Sequence, residues 1–104
     1  MMFRVIFAIH RRPDLSRQQF EDRWVQHGPL LQGLPNLRSY TQCLVTGSER
    51  LSGPEADGIS IMDFDSEDDY RLADSSAEMQ AAHDDAAGFV GFVSAYYAQP
   101  RQVC

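Results

Sequence analysis

The residues best equipped for chemistry in this chain are two histidines and a tyrosine: His27, His83 and Tyr40. Imidazole gains and loses a proton near neutral pH, and a phenol donates a hydrogen bond without giving its proton away, so the three would make a general acid–base set. Other routes are closed. All nine basic residues are arginine, which excludes Schiff-base chemistry on a lysine side chain. There is no Gly-x-Ser-x-Gly elbow, no phosphate-cradling glycine loop and no dinucleotide fingerprint. His10, His27 and His83 do not stand one helical turn apart, and Cys43 and Cys104 make no Cys-x-x-Cys, so neither a metal nor a cofactor is expected. Each candidate also has a plainer explanation. A histidine in the last turn of a helix is held by the dipole and the last carbonyls with no function required. His83, among alanines, would be a packed and hydrogen-bonded residue. Asp63, between Met62 and Phe64, needs a partner or solvent. It is either a pocket base or the mate of an arginine such as Arg4 across a dimer, and pairing is the preferred reading.

The elements that must position these groups follow from local signals. Phe3–His10 alternates as a strand, and Arg11-Arg12-Pro13-Asp14 is a polar turn. Ser16 with Gln19 has the spacing of a capping box, and Phe20, Trp24 and His27 follow at i, i+4 and i+7, which puts two aromatics and an imidazole on one helix face. Gly28-Pro29 should end that helix, with Gly28 in the left-handed conformation. Leu37–Thr46 is a second strand, residues 47–57 have loop composition and the highest expected mobility, and Gly58–Phe64 is a third strand. Asp65 to Asp69 should cap a helix and load its first turn with acids. Ser75-x-x-Glu78 is a second capping box, so the helix should break near Asp74–Ser76 and restart with Met79, Ala82, His83 and Ala86 on one face. Phe89–Tyr97 is the last strand. The order β-α-β-β-α-β predicts a single α+β domain over residues 1–104, ferredoxin-like, with a four-stranded antiparallel sheet. Strands other than the second carry large apolar residues on both faces, as in Phe89 and Val93 against Val90 and Phe92. Helices cover only one face, so a second copy should cover the other, two sheets closing into a barrel.

The string Phe-x-x-x-Trp-x-x-His-Gly-Pro-Leu from Phe20, then Leu-Pro-x-Leu-x-x-Tyr from Leu34, resembles the EthD family of small dimeric α/β-barrel proteins. Asn36 stands where that family usually has glycine, and asparagine also tolerates positive φ. The resemblance implies a role for His27 and Tyr40, because the matching histidine and tyrosine belong to the active site of a related muconolactone-type isomerase. That isomerase also uses a cysteine on the third strand. The position here is Met62, whose thioether is no acid, base or thiolate, so Met62 becomes pocket wall together with Trp24. Cyclase-like relatives place a tyrosine and a later histidine in the second helical region, where Tyr70 and His83 stand. The family takes its name from ether-degradation gene clusters, in which its members sit beside a monooxygenase. The implied function is cofactor-independent acid–base chemistry of isomerase, lyase or cyclase type on a small hydrophobic oxygenated ring compound. A non-catalytic dimeric binding or auxiliary protein for a partner oxygenase is the alternative, and a cofactor-free monooxygenase the third.

Composition sets the outer limits. A formal net charge of −6 with no basic stripe disfavours nucleic acid. The apolar N-terminal run is too short to span a bilayer and lacks the parts of a signal peptide. With two unpatterned cysteines, a cytoplasmic protein with free thiols is expected.

Overall fold

A computed structural model of the chain describes residues 2–104. Four strands and three helices alternate in the order β1 (Phe3–Arg11), α1 (Arg17–Leu31), β2 (Ser39–Leu44), β3 (Gly58–Phe64), α2 (Glu67–Asp74), α3 (Ala77–Ala86) and β4 (Val90–Ala98). The strands form one antiparallel sheet in the order β2-β3-β1-β4, the ferredoxin-like arrangement expected. Register assigns the two faces. Val5 pairs with Met62 and Tyr97, and Tyr40 pairs with Met62, so these residues point toward the helices. Ile6 pairs with Ile61 and Tyr96, and His10 with Phe92, so these point away. On that outer face Phe92 and Tyr96 are 53% and 61% exposed, and the His10 ring stacks on Phe92 at 3.9 Å between centroids. The sheet is open and exposes these aromatic side chains on its outer face.

Two departures at helix ends have local causes. Helix α1 does not stop at Gly28-Pro29 but runs to Leu31, and no glycine among the described residues has positive φ. Pro29 lacks the N–H that Val25's carbonyl would accept, and its ring crowds the turn before it. Gln42 Nε2 from β2 reaches the neighbouring turn and donates to the Trp24 carbonyl at 2.9 Å, tying the helix to the sheet there. The chain reverses later, around Asn36 at φ 65°, as its tolerance for that region allows. The second helical region breaks where expected, but Ser76 rather than Ser75 caps α3, accepting from the Met79 N–H at 3.1 Å. Ser75 is already used in closing α2: its N–H reaches the Arg71 carbonyl and its hydroxyl donates to the Leu72 carbonyl, each at 3.2 Å. At the other end of β4, Gly91 is the extra residue of a bulge opposite His10 and Arg11, where a Cβ would lie 2.7 Å from the Arg11 carbonyl oxygen.

Asp63 lies on the outer face, away from the helices. Arg4 Nε and Nη2 donate to its two oxygens at 2.7 and 3.0 Å, and Ser39 Oγ adds a third bond at 3.1 Å. The partner is the arginine expected, but the pair closes within one chain, between neighbours in the β1–β3 register, and not across a dimer. The Arg4 guanidinium holds the Asp63 carboxyl below the usual carboxylate range. Its stabilisation is therefore complete above the pKa of an unfolded aspartate, about 3.9, and is lost as pH falls through the lower folded value. Asp63→Asn is expected to lower unfolding free energy by about 1–3 kcal/mol at neutral pH, because Arg4 loses a charged acceptor. In urea titrations the gap between variant and wild type should narrow in acid.

Candidate functional site

The core is in two parts. Val5, Leu31, Leu34, Met62, Phe64, Tyr70, Ala73, Met79 and Ala82 form one cluster, while Ile9, Phe20, Trp24 and Phe89 form another, and half-buried Phe7 packs against both. Between them lies a cavity of about 130 Å³, bounded by side chains of both clusters and by His27, Tyr40, Ser60 and His83. Exposed His83 and Val93 belong to its wall, so the cavity meets solvent on that side. A dry apolar void of about 150 Å³ holds benzene, so the space suits a single ring.

Helix α1 sets the first catalytic candidate. The capping box forms in both directions: the Gln19 N–H donates to Ser16 Oγ at 3.1 Å, and the Ser16 N–H donates to Gln19 Oε1 at 2.8 Å. The helix start is thereby fixed, and Phe20, Trp24, His27 and Leu31 form its buried stripe. Because α1 continues past Pro29, His27 is not in its last turn, and the helix-dipole explanation for this histidine loses its premise. Its partner is a carboxylate. His27 Nδ1 lies 2.8 Å from Asp85 Oδ2 in α3. An ionised carboxylate only accepts, so Nδ1 carries a proton, and in the neutral ring Nε2 is then the nitrogen with the free lone pair, on a side chain that is 9% exposed and lines the cavity. Arg23, one turn earlier on α1, stands 4.0 Å from the other Asp85 oxygen and lies over the Phe89 ring at 5.6 Å. Phe89 in turn meets His27 edge to face at 5.2 Å. Carboxylate, arginine and phenyl ring together hold the imidazole in one orientation.

Strands β2 and β3 supply the opposite wall. Tyr40 and Met62 are register partners, and both line the cavity. Gln42 Nε2, besides its bond to the Trp24 carbonyl, donates to Tyr40 Oη at 3.1 Å, which leaves the phenol's own proton to donate elsewhere. Burial pushes the Tyr40 hydroxyl above the usual tyrosine range, so at neutral pH it is a hydrogen-bond donor and not a base. Trp24 is held from behind by Gly58, where a Cβ would come within 2.5 Å of the indole's six-membered ring. Only glycine admits that approach.

Of the residues singled out in the sequence, the structure brings five to one cavity: Trp24, His27, Tyr40, Met62 and His83. His83 is exposed at its edge, not packed among the alanines. Two lie elsewhere. Asp63 faces the far side of the sheet, and Tyr70 packs in the core edge to face against Phe64 and Tyr97 and tilted against Phe3, at centroid distances of 5.4, 5.9 and 5.7 Å. Three contributors escaped the sequence reading: Asp85, Gln42 and Ser60. Asp85 had a faint signal, since it stands at i+3 from Ala82, beside the apolar stripe of α3 and not opposite it. Among the described residues no group of His, Cys, Asp or Glu could hold a metal ion, and no helix is long and apolar enough to cross a membrane.

The profile of the EthD domain matches residues 12–92. Solved structures share the fold. An ethyl tert-butyl ether d (EthD) family protein from Bacillus halodurans is 22% identical, with a TM-score of 0.80 over 97% of this chain and 100% of its own. A dimeric ferredoxin-like protein of unknown function from Thermobifida fusca is 21% identical, with a TM-score of 0.74 over 94% and 90%. SnoaB, a cofactor-independent oxygenase from Streptomyces nogalater, is 14% identical, with a TM-score of 0.61 over 98% and 93%. No curated protein matches the chain significantly. At these identities the likeness is one of fold.

Proposed function

Because the chain belongs to the EthD family, we propose that it is a cofactor-independent acid–base catalyst that moves a proton on a small hydrophobic ring compound carrying a carbonyl oxygen. The carrying observation is the His27–Asp85 pair, at 2.8 Å, set in the wall of a ring-sized apolar cavity. His27 Nε2 takes a proton from the carbon next to the carbonyl; the C–H electron pair becomes a C=C π bond, and the carbonyl π pair moves onto the oxygen to give an enolate. Tyr40 donates a hydrogen bond to that oxygen. Where a further ring C=C extends the enolate to a dienolate, return of the proton from the imidazolium to the far carbon shifts the double bond and completes an isomerisation, with no oxidant or reductant needed. Trp24, Met62 and Phe89 supply the apolar walls, and His83 stands where substrate enters.

A homodimer belongs to the same reading. Phe92 and Tyr96 are more than half exposed on the outer sheet face, and fold relatives from Thermobifida fusca and Bacteroides fragilis are dimeric. Two copies would join these faces and close the open sheets into a barrel.

The direct test follows solvent deuterium entering the α-carbon of cyclohexanone by NMR. Exchange faster than in buffer, and lost in His27→Ala, is the expected result. A protein that binds the ketone but exchanges no faster than buffer would instead be a binding or auxiliary protein.

A further inference from the structure

Trp24 presents an unexplained polar group. Its side chain is 2% exposed, it lines the cavity, and its indole Nε1 is the one buried side-chain nitrogen or oxygen among the described residues with no hydrogen-bond partner. An unpaired buried N–H costs free energy and calls for a reason. Gln42 Nε2 ties the two residues together, donating to the Trp24 carbonyl at 2.9 Å and to Tyr40 Oη at 3.1 Å, yet the indole N–H itself makes no hydrogen bond. The phenol is already occupied as an acceptor by Gln42 and keeps its own proton to give. Two donors, one from helix α1 and one from strand β2, thus belong to the same cavity as a histidine whose Nδ1 is bonded to Asp85. No carboxylate contacts either donor: Asp85 is held by His27 and Arg23, and Asp63 lies on the other face of the sheet.

We propose that Trp24 N–H and Tyr40 O–H form a two-donor site for an oxygen bearing negative charge, so that the ligands it takes are single-ring enolates and phenolates. The inference rests on the proton-transfer reading above and specifies its substrate as an enolisable ring ketone or a phenol. An ether oxygen carries no such charge and gains little from two donors. An enolate oxygen gains two charge-assisted hydrogen bonds in a setting that excludes water. The orphaned indole N–H then has its partner only when ligand is present.

The test uses 4-nitrophenol, whose anion absorbs in the visible, with 4-nitrotoluene as a ring of similar shape that cannot ionise. The wild type should bind the anion roughly tenfold to a hundredfold more tightly than the neutral acid, as bonds to a charged acceptor allow. Tyr40→Phe should abolish most of that preference while 4-nitrotoluene still binds. The chain has one tryptophan, so a 15N–1H spectrum carries a single indole resonance, and it should move downfield as the anion binds. That measurement needs no variant in the core. An unmoved indole resonance, no binding of 4-nitrophenol, or a preference that survives Tyr40→Phe would each overturn the proposal. Deuterium exchange in the wild type separates the two readings. If wild type shows the preference but no deuterium exchange, the oxygen site stands and the catalytic reading falls.

Discussion

His27→Ala is expected to slow deuterium exchange into cyclohexanone by about 10²–10⁴-fold, the usual contribution of a positioned general base. Added imidazole should restore part of the rate, because the space left by the side chain opens onto the cavity. A variant that had merely lost packing would not respond to imidazole. Asp85→Asn tests the positioning role of the carboxylate. The asparagine amide can present either oxygen or NH₂ to Nδ1, so it no longer dictates which imidazole nitrogen carries the proton. A loss of about 10–100-fold is expected, by analogy with partners that orient a functional histidine, with little change in thermal midpoint because Asp85 is 35% exposed. Equal rates in wild type and Asp85→Asn would make the 2.8 Å contact a structural bond only.

Phe89→Ala should cost about 3–5 kcal/mol of unfolding free energy. The ring is 1% exposed and touches Phe20 edge to face at 5.8 Å, His27 at 5.2 Å and the Arg23 guanidinium at 5.6 Å. Its removal enlarges a cavity that already exists, so the surroundings have little to collapse onto. Domains of this size hold about 5–15 kcal/mol in total, and the variant is expected to unfold at least 12 °C below wild type. Phe89→Leu, which retains most of the volume, should lose much less. Chemical denaturation of the three proteins side by side checks the order. A Phe89→Ala protein as stable as wild type would mean that this end of the core is loosely packed.

What could be read from the sequence was what depends on near neighbours. The Ser16–Gln19 box, the Phe20–Trp24–His27 stripe and the span of β3 rest on residues within a turn or two of one another, and all appear as expected. Helix α1's true end was hidden because Gly28-Pro29 reads locally as a stop, whereas the helix carries Pro29 inside it and buries Leu31 in the core beyond it. The choice between Ser75 and Ser76 as cap turned on how α2 closes. At the site, Trp24, His27 and Tyr40 were legible through their spacing and family resemblance. Asp85 was not, since its importance comes from packing α3 against α1. Asp63 shows the converse: a carboxylate in an apolar strand looks functional until its register partner proves to be Arg4.

The His27–Asp85 contact joins residues 58 apart in the chain. The central strand β1 likewise waits for β3 and for β4, the last element, before it gains either neighbour. Loop-closure entropy must be met before such pairings return anything, so this topology places the assembly of the dyad late on the folding route. A nascent or truncated chain that stops short of α3 holds His27 without its carboxylate. Its imidazole is then an ordinary one, free to choose either tautomer. Proton-transfer activity in a refolding experiment should therefore return only with the slowest structural phase, making the reaction itself a clock for completion of the native state.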